Sequence, residues 1–324
     1  MDDPEPHTSI LNILNHMSHG GEKEETKGSD SKYVRDIKDP TSIARLAKFI
    51  EIHFKKLDIL VNNAAEGGVV YVNDRKFRDG GGFVQVMDKN LHLLTNVLEE
   101  PYELAEECLK TNYYGTKRIT EALIPLLQLS KSPRIVNVTS AYGNLHWFYN
   151  EKLKEELIDI ENLTEEKIKE IIQGFLRDFK AGKLQENGWP LTVAAYKVSK
   201  AVLNAYTRLM ARKFQNILVN CVHPGYCVTD MTSNTGVSTA EEGAKGPVMA
   251  ALLPDEGPSG AYFDKMERAS FTLIERAICI IMVLAEIIKE IATTTIVRWW
   301  LAPFAATSRC VGLRCAFMCD WVVN

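Results

Sequence analysis

A tyrosine and a lysine stand four residues apart in the segment AAYKVSKAVLNAYTRLM, at Tyr196 and Lys200. In a helix this spacing places both side chains on one face, one turn apart. A phenol beside an ammonium suits proton donation, because a neighbouring cation favours the phenolate and lowers its pKa. The alternative is a core tyrosine beside a snorkelling lysine, and the Tyr-x-x-x-Lys spacing alone leaves both open.

The chain around this helix alternates short β-rich segments with longer amphipathic ones. LDILVNNA, RIVNVTS and ILVNCVHPG predict buried strands, and helices are predicted near 101–128 and 195–213. DPTSIARLAKFIEIHF predicts a helix with Asp39 as its N-cap and Pro40 in its first turn. Its apolar stripe comprises Ile43, Leu46, Ala47, Ile50 and Phe54. This alternation favours an α/β fold with a doubly wound, Rossmann-like parallel sheet covered by helices on both faces.

Polar residues follow each predicted strand. Asn62-Asn63, Thr139-Ser140 and Pro224-Gly225 come where the three strands end. Ligands of such sheets bind at the carboxyl ends of the strands. We therefore expect these three pairs at one edge, beside the helix of Tyr196.

Four motifs in a fixed order identify a family resemblance. They are LDILVNNA, LKTNYYGTK with Asn112, RIVNVTSAYG with Ser140, and YKVSK. Together they closely resemble the short-chain dehydrogenase/reductase superfamily, over about residues 35–271. VNCVHPGYCVTDMTSNTG and STAEEGAKGPVMAALLPDEGPSGAYF are similar to its plant branch of neomenthol dehydrogenase and salutaridine reductase.

The resemblance implies a catalytic role for four residues. Tyr196 would protonate a carbonyl oxygen as hydride arrives, and Lys200 would hold the nicotinamide ribose and lower the Tyr196 pKa. Ser140 would donate a hydrogen bond to the same oxygen, and Asn112 would hold a water that links Lys200 to solvent. Taken singly, Asn112 is better explained as a residue that kinks or caps its helix, and Ser140 as a turn residue. The order of the motifs favours catalysis.

The resemblance also implies a cofactor, NADP(H). Asp36 and the adjacent Ile37 would meet the adenine, and Asn63 and Ala64 the adenosine ribose. Tyr196 and Lys200 would hold the nicotinamide ribose, and the carboxamide would be met by Pro224, Gly225 and Thr229. The alternative for Pro224-Gly225 is a plain turn. The implied reaction interconverts a ketone and a secondary alcohol on a lipophilic, terpenoid- or alkaloid-like metabolite.

A helical insertion at about 145–190 separates Ser140 from Tyr196. Within it, five apolar side chains share one helix face: Ile168, Ile171, Ile172, Phe175 and Phe179. Relatives with such an insertion tend to be monomers, since it covers a face used for dimerisation, and we expect a monomer. Four nearby residues either line an apolar substrate pocket or pack the insertion down: Tyr142, Leu145, Trp147 and Phe148.

Residues 1–34 form an atypical polar arm in which the family's glycine-rich turn, TGxxxGIG, does not occur. That turn holds a pyrophosphate at a helix N-terminus. The stretch SILNILNHM predicts a helical turn or two. The 35 residues before Asp36 are too few for a full first βαβ unit with its strands, so the sheet is expected to be incomplete at its N-terminal side, with neighbouring strands lacking a ladder partner. A truncated, catalytically inactive relative that binds no dinucleotide is therefore the alternative function.

Residues 272–324 form an atypical apolar tail. AICIIMVLA is too short to span a bilayer, and a membrane-surface anchor is possible there but not favoured. Since both ends depart from the family pattern, we expect an alternative or mis-predicted transcript. The net charge of −4 and the lack of a basic face argue against a nucleic-acid partner. The seven cysteines lack disulfide or zinc spacing, which favours a reducing, cytoplasmic location without a metal site.

Overall fold

The computed structural model describes residues 10–13, 36–85 and 97–271. The chain divides into two units after residue 276, and every described residue belongs to the first unit. The predictions for the tail at 272–324, and for most of the arm at 1–34, lie outside the described residues.

A parallel-dominated sheet forms the centre of the described fold. The strands are β1 (Ile10–Ile13), β2 (Ile59–Asn62), β3 (Val70–Tyr71), β4 (Leu98–Glu99), β5 (Arg134–Val138), β6 (Leu218–His223), β7 (Tyr262–Asp264) and β8 (Glu267–Ala269). Six of them form the main sheet in the order β1-β2-β5-β6-β7-β8, and β3 pairs with β4 in a separate ribbon. All neighbours in the main sheet are parallel except β7 and β8.

The N-terminal arm contributes a strand instead of the predicted helical turn. Ile10–Ile13 pairs in parallel with β2, with Ile13 opposite Asn62. The expectation that β2 lacks a ladder partner on this side was therefore wrong for these four residues. The physical reason is that β2 is a buried strand with unpaired backbone groups at its edge, and any apolar segment within reach satisfies them.

Helices cover the sheet on both faces, as the alternating pattern predicted. They are α1 (Pro40–His53), α2 (Asp74–Asp79), α3 (Tyr102–Leu109), α4 (Thr116–Leu127), α5 (Glu151–Ile158), α6 (Glu165–Lys180), α7 (Ala194–Lys213) and α8 (Ala240–Ala251). A π-helical segment at Lys110–Gly115 joins α3 to α4. Short 3-10 turns lie at Gly82–Gln85, Ala141–Gly143, Leu145–Trp147 and Asp230–Thr232.

Alternate residues of the strands divide the core into two clusters. Leu60 and Ile135 join the larger cluster with α1, α4 and α7. Val61 and Val136 join a smaller cluster that α8 covers. The central strands β2, β5 and β6 are buried on both faces, which explains their nearly unbroken apolar sequences.

Helix α1 begins as predicted. The Asp39 carboxylate accepts hydrogen bonds from the backbone N–H groups of Thr41 and Ser42, at 2.9 and 3.1 Å. Ile43, Leu46 and Ile50 are buried in the larger cluster, with Ala47 packed against it. Phe54 departs from the predicted stripe: it follows the last turn of the helix and is 49% exposed.

The predicted insertion folds as α5 and α6. Ile168, Ile172 and Phe175 are fully buried, and Phe179 packs against the same cluster. The indole of Trp189, just after α6, stacks edge-on against Phe175 with ring centroids 5.4 Å apart. The insertion therefore belongs to the main core.

Candidate active site

Tyr196 and Lys200 lie on one face of α7, as their spacing predicted. The Lys200 Nζ atom is 5.5 Å from the centroid of the Tyr196 ring. Lys200 is 2% exposed and donates a 2.9 Å hydrogen bond to the carbonyl of Val138, the last residue of β5. The helix and the carboxyl end of β5 thus fix the ammonium from two sides.

Ser140 reaches the phenol from the end of β5. Its hydroxyl is hydrogen-bonded to the Tyr196 phenol and accepts the backbone N–H of Tyr142 at 3.1 Å. The following turn approaches α7 so closely that a Cβ on Gly143 would lie 2.8 Å from the Lys200 backbone. Only glycine permits this approach. Ser140 is therefore both the predicted turn residue and a partner of Tyr196.

Burial governs the protonation of the pair. It raises the pKa of Tyr196 above its ordinary value, against the hydrogen bond from Ser140. Burial also lowers the pKa of Lys200 to about 8. A neighbouring cation was expected to lower the pKa of Tyr196. The pKa is raised instead, because desolvation of the phenolate outweighs the contacts that favour it. The raised pKa keeps the phenol protonated at neutral pH, as a proton donor requires.

Asn112 lies in the π-helical segment and is completely buried. Its Oδ1 atom accepts the Glu66 N–H at 2.7 Å, and its Nδ2 atom donates to the Glu66 carbonyl at 2.9 Å. The same amide nitrogen donates to Ser199 Oγ at 2.9 Å. The side chain thereby fixes the loop after β2 against α7. Asn112 thus lies at a helix irregularity, as the structural alternative predicted, and its part in a proton relay stays a prediction.

Two residues that sequence reasoning missed complete this cluster. The Cys108 thiol donates to the Glu66 carbonyl at 3.2 Å, and burial raises its pKa to about 12. The Ser199 hydroxyl donates to the Tyr196 carbonyl at 2.8 Å. Ser199 stands inside the YKVSK motif and was within reach of motif reasoning. Cys108 carried no signal, since a lone cysteine reads as a small core residue.

The residues predicted to lie near the adenosine are next to the loop that contains Glu66. Asp36 accepts the backbone N–H of Lys38 at 2.7 Å, which closes a turn. Ile37 is buried against Gly115, where an added Cβ would lie 2.8 Å away. The Lys38 ammonium forms an ion pair with the Glu66 carboxylate at 3.5 Å, and Glu66 comes two residues after Ala64. The turn at Asp36 and Ile37 therefore lies beside the loop that contains Asn63 and Ala64.

The residues predicted to meet the nicotinamide carboxamide follow β6: Pro224, Gly225 and Thr229. In the sheet register Asn137 lies opposite Cys221 and Val138 opposite Val222, so Pro224 and Gly225 extend from the same edge as Ser140. Gly225 adopts a φ of +95°, which only glycine takes freely. The contacts described for Thr229 stay within its own loop, chiefly with Thr232, and the side chain is exposed.

Aromatic rings form one wall near Tyr196. The Tyr142 ring meets the rings of Tyr196, Trp147 and Phe83 edge to face, at centroid distances of 6.4, 5.4 and 6.2 Å. Phe83 also meets Tyr226 at 6.2 Å. The wall joins the segment after β3 to the loops after β5 and β6, which are far apart in sequence.

The four residues predicted either to line a substrate pocket or to pack the insertion differ in burial. Tyr142 and Trp147 are partly buried members of the aromatic wall. Leu145 and Phe148 are 5% and 1% exposed and belong to the main core. The packing role therefore holds for Leu145 and Phe148, and a role of Tyr142 and Trp147 in a substrate pocket stays a prediction.

A doubly wound sheet that presents a phenol, an ammonium and a hydroxyl at its rim is the architecture of a dinucleotide-linked dehydrogenase or reductase. The chain belongs to the short-chain dehydrogenase/reductase family, whose members use a nicotinamide dinucleotide, and is an oxidoreductase by descent. The family model for short chain dehydrogenase matches residues 21–151.

The sequence relatives include plant and animal enzymes. A (+)-neomenthol dehydrogenase of Arabidopsis thaliana is 49% identical over 237 residues, which cover 73% of this chain and 78% of the relative. A more distant mouse protein, carbonyl reductase [NADPH] 1, is 34% identical over 237 residues, covering 70% and 74%.

A solved structure confirms the fold. Salutaridine reductase from Papaver somniferum superposes with a TM-score of 0.63 at 47% identity, covering 71% of this chain and 80% of that one. The resemblance deduced from the motifs, including its plant branch, is thereby confirmed. Among the described residues, no helix combines the length and apolarity that crossing a membrane requires.

Proposed function

We propose that this protein is an NADPH-dependent reductase that converts a ketone on a lipophilic small metabolite into a secondary alcohol, or catalyses the reverse reaction. The observation that carries the proposal is the hydrogen bond between Ser140 and Tyr196, beside the buried ammonium of Lys200. Two hydroxyl groups that meet at the rim of a sheet form a donor pair for one carbonyl oxygen.

Each of the three residues has a distinct task. Tyr196 gives its proton to the carbonyl oxygen, and its raised pKa keeps that proton in place until the oxygen becomes basic. Ser140 donates a hydrogen bond to the same oxygen and stabilises the charge that develops on it. Lys200 is largely cationic at neutral pH, since its pKa is about 8, and its charge favours the phenolate that remains.

The nicotinamide half of a dinucleotide fits the residues present. An ammonium carries three donor hydrogens, and the hydrogen bond to Val138 uses one of those on Lys200. Lys200 and Tyr196 would hold the nicotinamide ribose, with Pro224, Gly225 and Thr229 on the carboxamide side. The bound cofactor would supply the hydride. The preference for NADPH rests on the family resemblance and on the mouse relative named for it.

The adenosine half has its own candidates. The turn at Asp36 and Ile37 lies beside the loop of Asn63 and Ala64, through the pair of Lys38 and Glu66. The sequence contains no TGxxxGIG turn to hold the pyrophosphate. This observation favours a second candidate function, a family member that binds no dinucleotide and is catalytically inactive.

The aromatic wall supports a lipophilic substrate. Tyr142, Phe83 and Tyr226 place apolar ring surface beside Tyr196. Apolar lining with a few placed polar groups is typical of small-molecule sites. The relatives named for neomenthol and salutaridine suggest a terpenoid- or alkaloid-like ketone.

The oligomeric state is proposed on the position of the insertion. Helix α6 buries Ile168 and Phe175 in the main core, so a monomer is expected. Light scattering behind a sizing column measures the mass directly, and a mass near 73 kDa, about twice the 36.4 kDa of one chain, would contradict it.

Fluorescence titration of the purified protein with NADPH separates the two candidate functions. The reductase predicts saturable binding and oxidation of NADPH when a monoterpene ketone is added. Absence of saturation at high micromolar NADPH would establish the second candidate. NADH, titrated in parallel, tests the preference between the two cofactors.

A further inference from the structure

A partly buried carboxylate lies at the start of the helix that carries Tyr196. Glu100 follows β4, and its Oε2 atom accepts the backbone N–H of Ala194 at 2.7 Å. It also accepts from the N–H groups of Val193 and Ala195. Three successive backbone donors of α7 therefore converge on one side chain from a different part of the chain. The free N–H groups of a helix start normally find such a partner locally.

The residue at the helix start offers no local cap and is strained. Val193 is the N-cap of α7 and makes no capping hydrogen bond through its side chain. Its φ and ψ are +44° and +40°, in the left-handed region. For a β-branched residue this conformation is a genuine outlier and persists only where the surroundings impose it. Glu100 supplies that constraint through the bonds that it accepts.

The same turn of helix contains the reacting phenol. Tyr196 comes two residues after Ala194, so the direction of its side chain depends on the first turn of α7. Lys197, in that turn, places its ammonium 4.0 Å from the Trp147 ring centroid and 5.4 Å from that of Tyr142. Burial raises the pKa of Glu100 to about 7, against the backbone N–H groups at the start of α7 and the Lys197 ammonium, which favour the ionised carboxylate. The first turn of α7 therefore contacts the aromatic wall through Lys197.

We infer that Glu100 is a positioning residue for Tyr196, which holds the strained start of α7 so that the phenol stays aligned with Ser140. The inference rests on the proposed reductase function, since it assigns a purpose to that alignment. Glu100 touches no reacting atom and acts through the backbone of Val193–Ala195.

Glu100→Gln tests the inference, with Glu99→Gln as its matched control. The neighbouring Glu99 is exposed, so its substitution removes the same charge without touching α7. At a temperature far below unfolding, Glu100→Gln is expected to lower kcat at least tenfold and to leave the NADPH KM within twofold. A cap that merely stabilises the fold would lower the melting temperature and leave kcat of the folded enzyme unchanged, and that result would overturn the inference.

Hydrogen exchange of the peptide at 190–200 provides a readout that needs no turnover. Glu100→Gln is expected to speed exchange at Val193–Ala195 at least tenfold, and Glu99→Gln to leave it unchanged. Equal exchange in the two variants would overturn the inference even if the wild-type protein proves inactive. Failure of the proposed function would instead appear as a wild-type protein that binds no NADPH.

Val193→Gly tests the strain itself. Glycine takes the left-handed conformation without steric cost, so in this variant the turn depends less on its hydrogen bonds to Glu100. The loss of kcat caused by Glu100→Gln is therefore expected to be smaller in the Val193→Gly background. If Glu100→Gln lowers kcat by the same factor in the wild-type and the Val193→Gly backgrounds, the claim that Glu100 acts on this turn is overturned.

Discussion

The ammonium of Lys200 lies 5.5 Å from the ring centroid of Tyr196, one turn further along α7. Both groups are desolvated. Burial raises the pKa of the phenol and lowers the pKa of the ammonium, so it favours the neutral form of each. The ammonium of Lys200 is therefore kept at a cost in stability, as is common where charges serve a reaction.

Tyr196→Phe should lower turnover by about 10²- to 10⁴-fold, the usual contribution of a positioned proton donor. The affinity for NADPH should fall by no more than about fivefold, the loss expected for one neutral hydrogen bond of about 1 kcal/mol to the ribose. Tyr206→Phe is the matched control on the same helix, since its buried hydroxyl has no hydrogen-bond partner among the described residues. Steady-state kinetics of both variants measure this, and full activity of Tyr196→Phe would exclude Tyr196 as the acid.

Lys200→Met should make the protein more stable at pH 7. A pKa lowered from 10.5 to about 8 means that the unfolded chain binds more protons than the folded one between these values. Stability therefore rises with pH across this window, and the cost of the buried charge, about 3 kcal/mol, is fully felt below pH 8. Loss of the bond to Val138 offsets about 1 kcal/mol of the gain.

Urea unfolding at pH 7 and pH 10 checks the expected net gain of about 2 kcal/mol for Lys200→Met and its decline with rising pH. Lys213→Met, whose side chain is 54% exposed, should show neither effect. Equal stability of wild type and Lys200→Met at pH 7 would contradict the buried charge.

Tyr142→Ala should weaken binding of a lipophilic ketone. Its ring bridges Tyr196, Trp147 and Phe83, so truncation removes apolar surface from the wall. We expect the ketone KM to rise about tenfold, as for a loss of about 1.4 kcal/mol, with little change in NADPH affinity. Tyr149→Ala, at a site 53% exposed, is the control. A shift of both constants by the same factor would place Tyr142 outside the substrate site.

Phe175→Ala should destabilise the whole fold. Phe175 is fully buried between α6 and the main core, where such a truncation costs about 3 to 5 kcal/mol. Phe54→Ala, at an exposed site, should cost under about 1 kcal/mol. Chemical unfolding measures both, and separate transitions for the insertion and the rest would show that the two do not share a core.

Proline substitutions test the strand of the N-terminal arm. In a parallel strand alternate residues direct their backbone groups to opposite sides, and proline removes one donor. Of Leu11→Pro and Asn12→Pro, one should therefore destabilise the protein by about 1 kcal/mol more than the other. Unfolding midpoints give the comparison. Two neutral substitutions would mean that β1 contributes nothing to the ladder with β2.

Much of this protein was determined by local patterns in the sequence. Asp39 and Pro40 start α1, and the helical period of Ile168, Ile172 and Phe175 identifies the buried face of α6. The order of the motifs gave the family, because strand ends and helix faces recur at readable spacings. Tyr196 and Lys200 share a helix face by geometry alone.

Only the tertiary structure decided how these groups behave. The sequence could not show that Ile10–Ile13 pairs with β2, since strand pairing joins segments far apart and carries no local signal. Nor could it show that desolvation raises the pKa of Tyr196 or that Glu100 caps α7, almost a hundred residues away. Spacing along the chain predicts which side chains share an element. Burial and contacts between elements set their charge and alignment, and these exist only once the chain has folded.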